Sequence, residues 1–74
     1  MKYAQHFPGD LAVIEVRVRL RRTGRDEWLD DTATPTDDEA KAASFPDAVQ
    51  AILFAQHHVD EPKLWHHEQF VEIK

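Results

Sequence analysis

The sequence predicts a small α+β domain of ββαβ order: a three-stranded, antiparallel-type sheet in the order 2-1-3, with one helix packed on one face. Three observations predict it. Ala12 to Arg21 alternates almost without error, with Ala12, Ile14, Val16, Val18 and Leu20 on one side and Glu15, Arg17, Arg19 and Arg21 on the other. A period of two over that length marks a strand with one buried and one wet face. Arg22-Thr23-Gly24-Arg25 then offers a tight turn before a second extended segment. Finally, apolar residues from Phe45 to Val59 recur at helical spacing, and Pro62 follows.

Taken in order, residues 1–10 read as an N-terminal arm that ends at Pro8-Gly9, with Tyr3 and Phe7 available to cover a core edge. The central strand follows, and Glu27–Thr32 returns beside it. A four-residue loop sets Arg21 beside Asp26, Arg19 beside Trp28 and Arg17 beside Asp30; a shift by one sets Arg21 beside Glu27 and Arg17 beside Asp31. Either register opposes arginines to acids, which fixes the hairpin by about 0.2–1 kcal/mol per pair. The register also decides whether Trp28 lies outside, over Arg19, or inside against Leu20.

Residues 33–44 read as an acidic loop, in which Thr36 and Glu39 have the spacing of a capping box. Ser44, the only serine, stands where a helix N-cap belongs, with Pro46 in the first turn. The helix is expected over residues 45–58, burying Phe45, Ala48, Val49, Ile52, Leu53, Ala55 and Val59 and turning Phe54 to the opposite side. Residues 59–63 stop it, and 64–74 form the last strand. There Trp65, Val71 and Ile73 share one parity and Leu64 and Phe70 the other. Either a bulge near Glu68 or a Phe70 on the open face reconciles them.

Seventy-four residues, 42% hydrophobic, make one domain with a small core. Without cysteine it has neither disulfides nor a thiolate metal site. No apolar run suits a signal peptide or a membrane span, so the chain is expected in the cytoplasm. The net charge of −5 opposes a general phosphate-backbone binder. Charge is also segregated: residues 17–25 hold all five arginines and no acid, and residues 26–39 hold seven acids and no base.

No sequence feature supports catalysis. There is no glycine-rich phosphate loop or nucleophile elbow, and no base is placed to activate Ser44. His57-His58 and His66-His67 offer His58 and His66 as metal ligands, but adjacent residues diverge on a helix and alternate on a strand, so a four-histidine cage is unavailable. No cofactor is expected. The reading that remains is a small acidic protein-binding module, an inhibitor or adaptor of the kind a phage or mobile element encodes. Trp28, Asp30, Asp31, Asp37, Asp38, Glu39 and Phe54 would contact the partner protein. The alternative is a weak nucleic-acid binder that uses Arg17, Arg19 and Arg21 on the open sheet face. A third reading is a homodimer paired through a strand edge, with a structural role.

Overall fold

The structure, a computed structural model that describes residues 14–73, is an α+β fold with one helix and a four-stranded antiparallel sheet. The expected arm at residues 1–10 and the first two residues of the expected strand lie outside the described residues. The strands are β1 (Ile14–Arg22), β2 (Trp28–Leu29), β3 (Pro35–Thr36) and β4 (Trp65–Ile73), in the order β3-β2-β1-β4. The helix α1 (Ala48–His58) lies between β3 and β4 in sequence. The sequence placed β1 between the hairpin strand and the last strand, as found. Its three-strand count omitted β3.

The fourth strand comes from a tighter turn than expected. β2 ends after two residues because the Asp30 side chain accepts hydrogen bonds from Thr32 N and Thr34 N, both at 2.9 Å, and so reverses the chain. Ala33 takes φ of 62°, a left-handed conformation, and Pro35–Thr36 then pairs with Leu29 and Trp28. Pro35 lacks an N–H, which an edge strand tolerates. The rest of the acidic stretch is also ordered into pieces. A 3₁₀ turn spans Glu39–Lys41 and is capped by Asp38, whose side chain accepts from Ala40 N. Thr36 accepts from Asp38 N rather than capping a helix.

The hairpin register corrects both expected ones. Arg21 is opposite Trp28, and the Arg22 amide donates to Glu27 O at 2.8 Å. Residues 23–26 form the loop, where Gly24 adopts φ of 78°. This register has the parity that puts Trp28 on the arginine side. On the other edge, β1 and β4 pair without a bulge from Ile14 opposite Ile73 to Arg22 opposite Trp65. Phe70, opposite Arg17, therefore lies on the open face, and Trp65 joins the core.

Helix α1 starts three residues later than Ser44 predicts. Phe45 is bonded to β1 in both directions, Val18 N to Phe45 O at 2.9 Å and Phe45 N to Val18 O at 2.7 Å, which keeps Phe45 extended. Asp47 is the N-cap and accepts from Gln50 N at 2.9 Å. Ser44 instead accepts from Arg17 Nε at 2.6 Å. With its entry pinned at Phe45, the helix buries its alanine stripe, Ala51 and Ala55, against Val18, Leu20, Leu29 and Trp65. Small side chains let the helix approach the sheet closely. Val49, Ile52 and Leu53, expected inside, remain 62%, 40% and 42% exposed. Phe54, expected outside, is half-buried on the core.

The energetic centre is thus small. Leu20 and Leu29 are the fully buried large side chains among the described residues. Replacing either with Ala is expected to cost about 2–5 kcal/mol. Asp47→Ala is expected to cost about 0.5–2 kcal/mol through the lost cap, and Val49→Ala under about 0.5 kcal/mol because it is exposed. Urea unfolding with an unchanged denaturant slope checks all three.

Candidate partner-binding groove and the arginine face

The open face of the sheet is built by parity. Arg17, Arg19 and Arg21 on β1 project to the same side as Phe70, Glu68 and His66 on β4 and Trp28 on β2. Arg19 is the hub. Its Nε donates to Glu68 Oε2 at 2.6 Å, and its Nη1 lies 2.6 Å from Glu39 Oε2. The guanidinium carbon lies 5.2 Å from the Trp28 ring centre and 5.0 Å from that of Phe70. Trp28 Nε1 donates to the same Glu68 oxygen at 3.1 Å. Arg21 contacts Asp26 and lies 3.6 Å from Glu68 Oε1. Arg17 donates from Nη2 to Ser44 O at 3.1 Å, besides its bond to the hydroxyl.

These contacts close the face. Trp28, although on the open side, is only 6% exposed. Burial pushes the Glu68 carboxyl up, but hydrogen bonds from Trp28 and Arg19 and the charges of Arg19 and Arg21 outweigh it and hold the group below its ordinary value. Burial likewise opposes the Arg19 charge, and Glu68 and Glu39 outweigh it, so its proton is held more tightly than usual.

The acids and Phe54 come together elsewhere. An open groove of about 620 Å³ is lined by Asp30, Asp31, Lys41, Ser44, Phe45 and Phe54, with the alanines between them. Phe54 packs in a tilted arrangement against Phe45 at 5.1 Å between ring centres and against His58 at 4.8 Å. Asp30 spends its carboxylate on the turn. The hydroxyl of Thr32 donates to it at 2.6 Å, and this bond is the largest of the influences that hold its acid constant below the usual range. Asp31 and Asp37 are exposed, and no ion pair holds either among the described residues.

Of the seven residues expected to contact a partner, then, Asp30, Asp31 and Phe54 share one groove. Asp37 and Asp38 lie on the loop that leads to its Ala40–Lys41 rim. Trp28 and Glu39 belong instead to the Arg19 cluster. Sequence reasoning missed Phe45 as the second aromatic of the groove and Glu68 as the counter-ion of Arg19. Glu68 had a signal: it shares parity with Phe70, which places both with the arginines. Phe45 had none, since only its bond to Val18 pulls it out of the helix.

His58 packs on Phe54 at the end of α1, whereas His66 lies on the other side of the sheet, with Nδ1 3.2 Å from Thr23 Oγ1. Among the described residues no group of three or more His, Asp or Glu side chains is gathered to hold a metal ion. No helix among them is long and apolar enough to cross a membrane. No protein-family model matches the sequence, and no curated protein or solved structure matches it significantly.

The lowered Glu68 acid constant has a defined pH consequence. A carboxyl that ionises more readily when folded stabilises the fold fully above its ordinary value of 4.5 and loses that contribution as pH falls below it toward the folded value. Glu68→Gln is expected to lower stability at neutral pH and to flatten the decline on acidification. Urea midpoints measured from pH 7 down to about pH 3 check the sign, and parallel curves for the two proteins would contradict it.

Proposed function

We propose that this chain is a non-enzymatic, cytoplasmic protein-binding module, an inhibitor or adaptor, that docks on another protein through the groove between the Asp30 turn and the Phe45–Phe54 pair. One observation carries the reading. Residues far apart in sequence, Asp30-Asp31, Phe45 and Phe54, meet around one open groove. Its chemistry specifies the occupant: a segment with Lys or Arg beside an apolar side chain. The cation faces Asp31, with Asp37 on the loop that leads to the groove's rim, and the apolar group covers the Phe54 ring. The aromatic pair supplies the anchor and the acids supply steering.

Nucleic acid is the weaker reading. A phosphate backbone at Arg19 or Arg21 must displace Glu68, Glu39 or Asp26, each already at ion-pair distance. Counter-ion exchange of that kind returns little.

The test is capture from a nuclease-treated lysate of the source cell, followed by binding kinetics on the purified partner. Asp31→Asn with Asp37→Asn is expected to slow association by about tenfold and to weaken its salt dependence. Phe54→Ala is expected to speed dissociation, with a loss of about 2 kcal/mol or more if the ring is a central anchor. Binding that survives these variants but fails in Arg17→Ala, or that vanishes with nuclease, contradicts the proposal.

A further inference from the structure

The outer edge of β4 is nine residues long. Among the described residues, β4 pairs with β1 on one side and with nothing on the other. Which groups face outward follows from β1. Val18 and Arg22 direct their amides toward the β2 edge, to Phe45 O and Glu27 O. The odd-numbered residues of β1 therefore bond β4, through its residues 66, 68, 70 and 72. The amides and carbonyls of His67, Gln69, Val71 and Ile73 point away from the sheet.

Edge strands are normally blunted by Pro, Lys, a bulge or a very short length. β4 has nine residues, no Pro, no Lys and an unbroken register. The side chains of its outward-facing residues, Trp65, His67, Gln69, Val71 and Ile73, all lie on the helix side and carry no carboxylate or lysine. Val71 and Ile73 are 59% and 68% exposed. The opposite edge of the sheet is β3, two residues long with a proline.

We propose that a second copy of this chain occupies that edge, with the two β4 strands antiparallel about a two-fold axis at Gln69. The occupant is chosen by self-complementarity. A two-fold at Gln69 is the register that pairs all nine residues. It sets Ile73 of one copy beside Trp65 of the other, and Val71 beside His67, so the exposed apolar end of each strand covers the start of its mate. Trp65 also lines an apolar groove with Ile52 and Pro62, next to the incoming Ile73. On the open face the same register sets His66 beside Glu72, a match of base and acid, and Phe70 beside Glu68. The two sheets become one of eight strands. This inference does not rest on the docking groove, which lies elsewhere on the surface and stays accessible.

Hydrogen exchange on the native protein tests it directly. A dimer protects the amides of His67, Gln69 and Val71 as well as those of Glu68 and Phe70, and the protection of the first set falls on dilution. Fast exchange at 67, 69 and 71 at every concentration, with slow exchange at 68 and 70, overturns the proposal. Sedimentation gives the second arm. Gln69→Pro removes an amide that β1 does not use, and Gln69→Lys sets two like charges at the axis. Both are expected to shift the native two-chain mass to one chain with an unchanged circular dichroism spectrum. A native one-chain mass throughout, or a two-chain mass in both variants, overturns the β4 pairing.

Discussion

A guanidinium drawn into the protein needs its charge compensated, and that need at Arg19 shapes one whole side of this fold. Arg19 projects from the central strand with its side chain only 14% exposed. Withdrawal from water on that scale is tolerable when hydrogen-bonded carboxylates are fixed at hand. Glu68 arrives on β4 and Glu39 on the 3₁₀ turn, both at 2.6 Å. Trp28 lies beneath the cation and donates to Glu68. The same cluster thus joins β1, β2, β4 and the acidic stretch. Part of the sequence's charge segregation is thus spent on holding a small sheet together.

The helix side answers to a different constraint. The reciprocal Val18–Phe45 bonds end the extended chain two residues before the N-cap and set how α1 meets the sheet. Alanines pack inward, which brings the helix close but buries little apolar area per residue. Among the described residues, Leu20 and Leu29 supply most of what is fully buried, and seven Val, Leu or Ile side chains remain exposed, all on β1, α1 or β4. A domain with so small a core gains most by covering such surface through association. The acidic groove and the β4 edge are two different surfaces on which association could be built, one with a partner's cations and apolar tip, the other with the chain's own backbone.

The charged side chains divide by which are already committed within the fold. Arg19 and Arg21 face carboxylates, and Arg17 is hydrogen-bonded to Ser44. Asp30 serves its turn and Asp38 its cap. Asp31 and Asp37 are exposed, and Asp31 lines the groove that holds the aromatic pair. Under the proposed docking, these acids and the net charge of −5 supply the steering field for a basic partner.

The sequence by itself determined the α+β class, the central place of β1, the arginine side of the sheet and the existence of the helix. Periodicity is a local property, and it survives whatever the rest of the chain does. It also offered Phe70 and Trp28 for the open face as one of two choices. What only the tertiary structure decided were matters of registry and rotation. The hairpin slid past both expected registers, and β3 formed because one aspartate turned the chain early. The helix gave its alanines rather than its leucine and isoleucine to the core, because a backbone bond to a strand 27 residues away fixed its entry. Parity can place Glu68 on the arginine side, but it cannot say which strands meet or in what register, and a long-range backbone bond leaves no periodic trace. For that reason the groove at Phe45 and Phe54, and the sealing of Arg19, were visible only once the chain had folded.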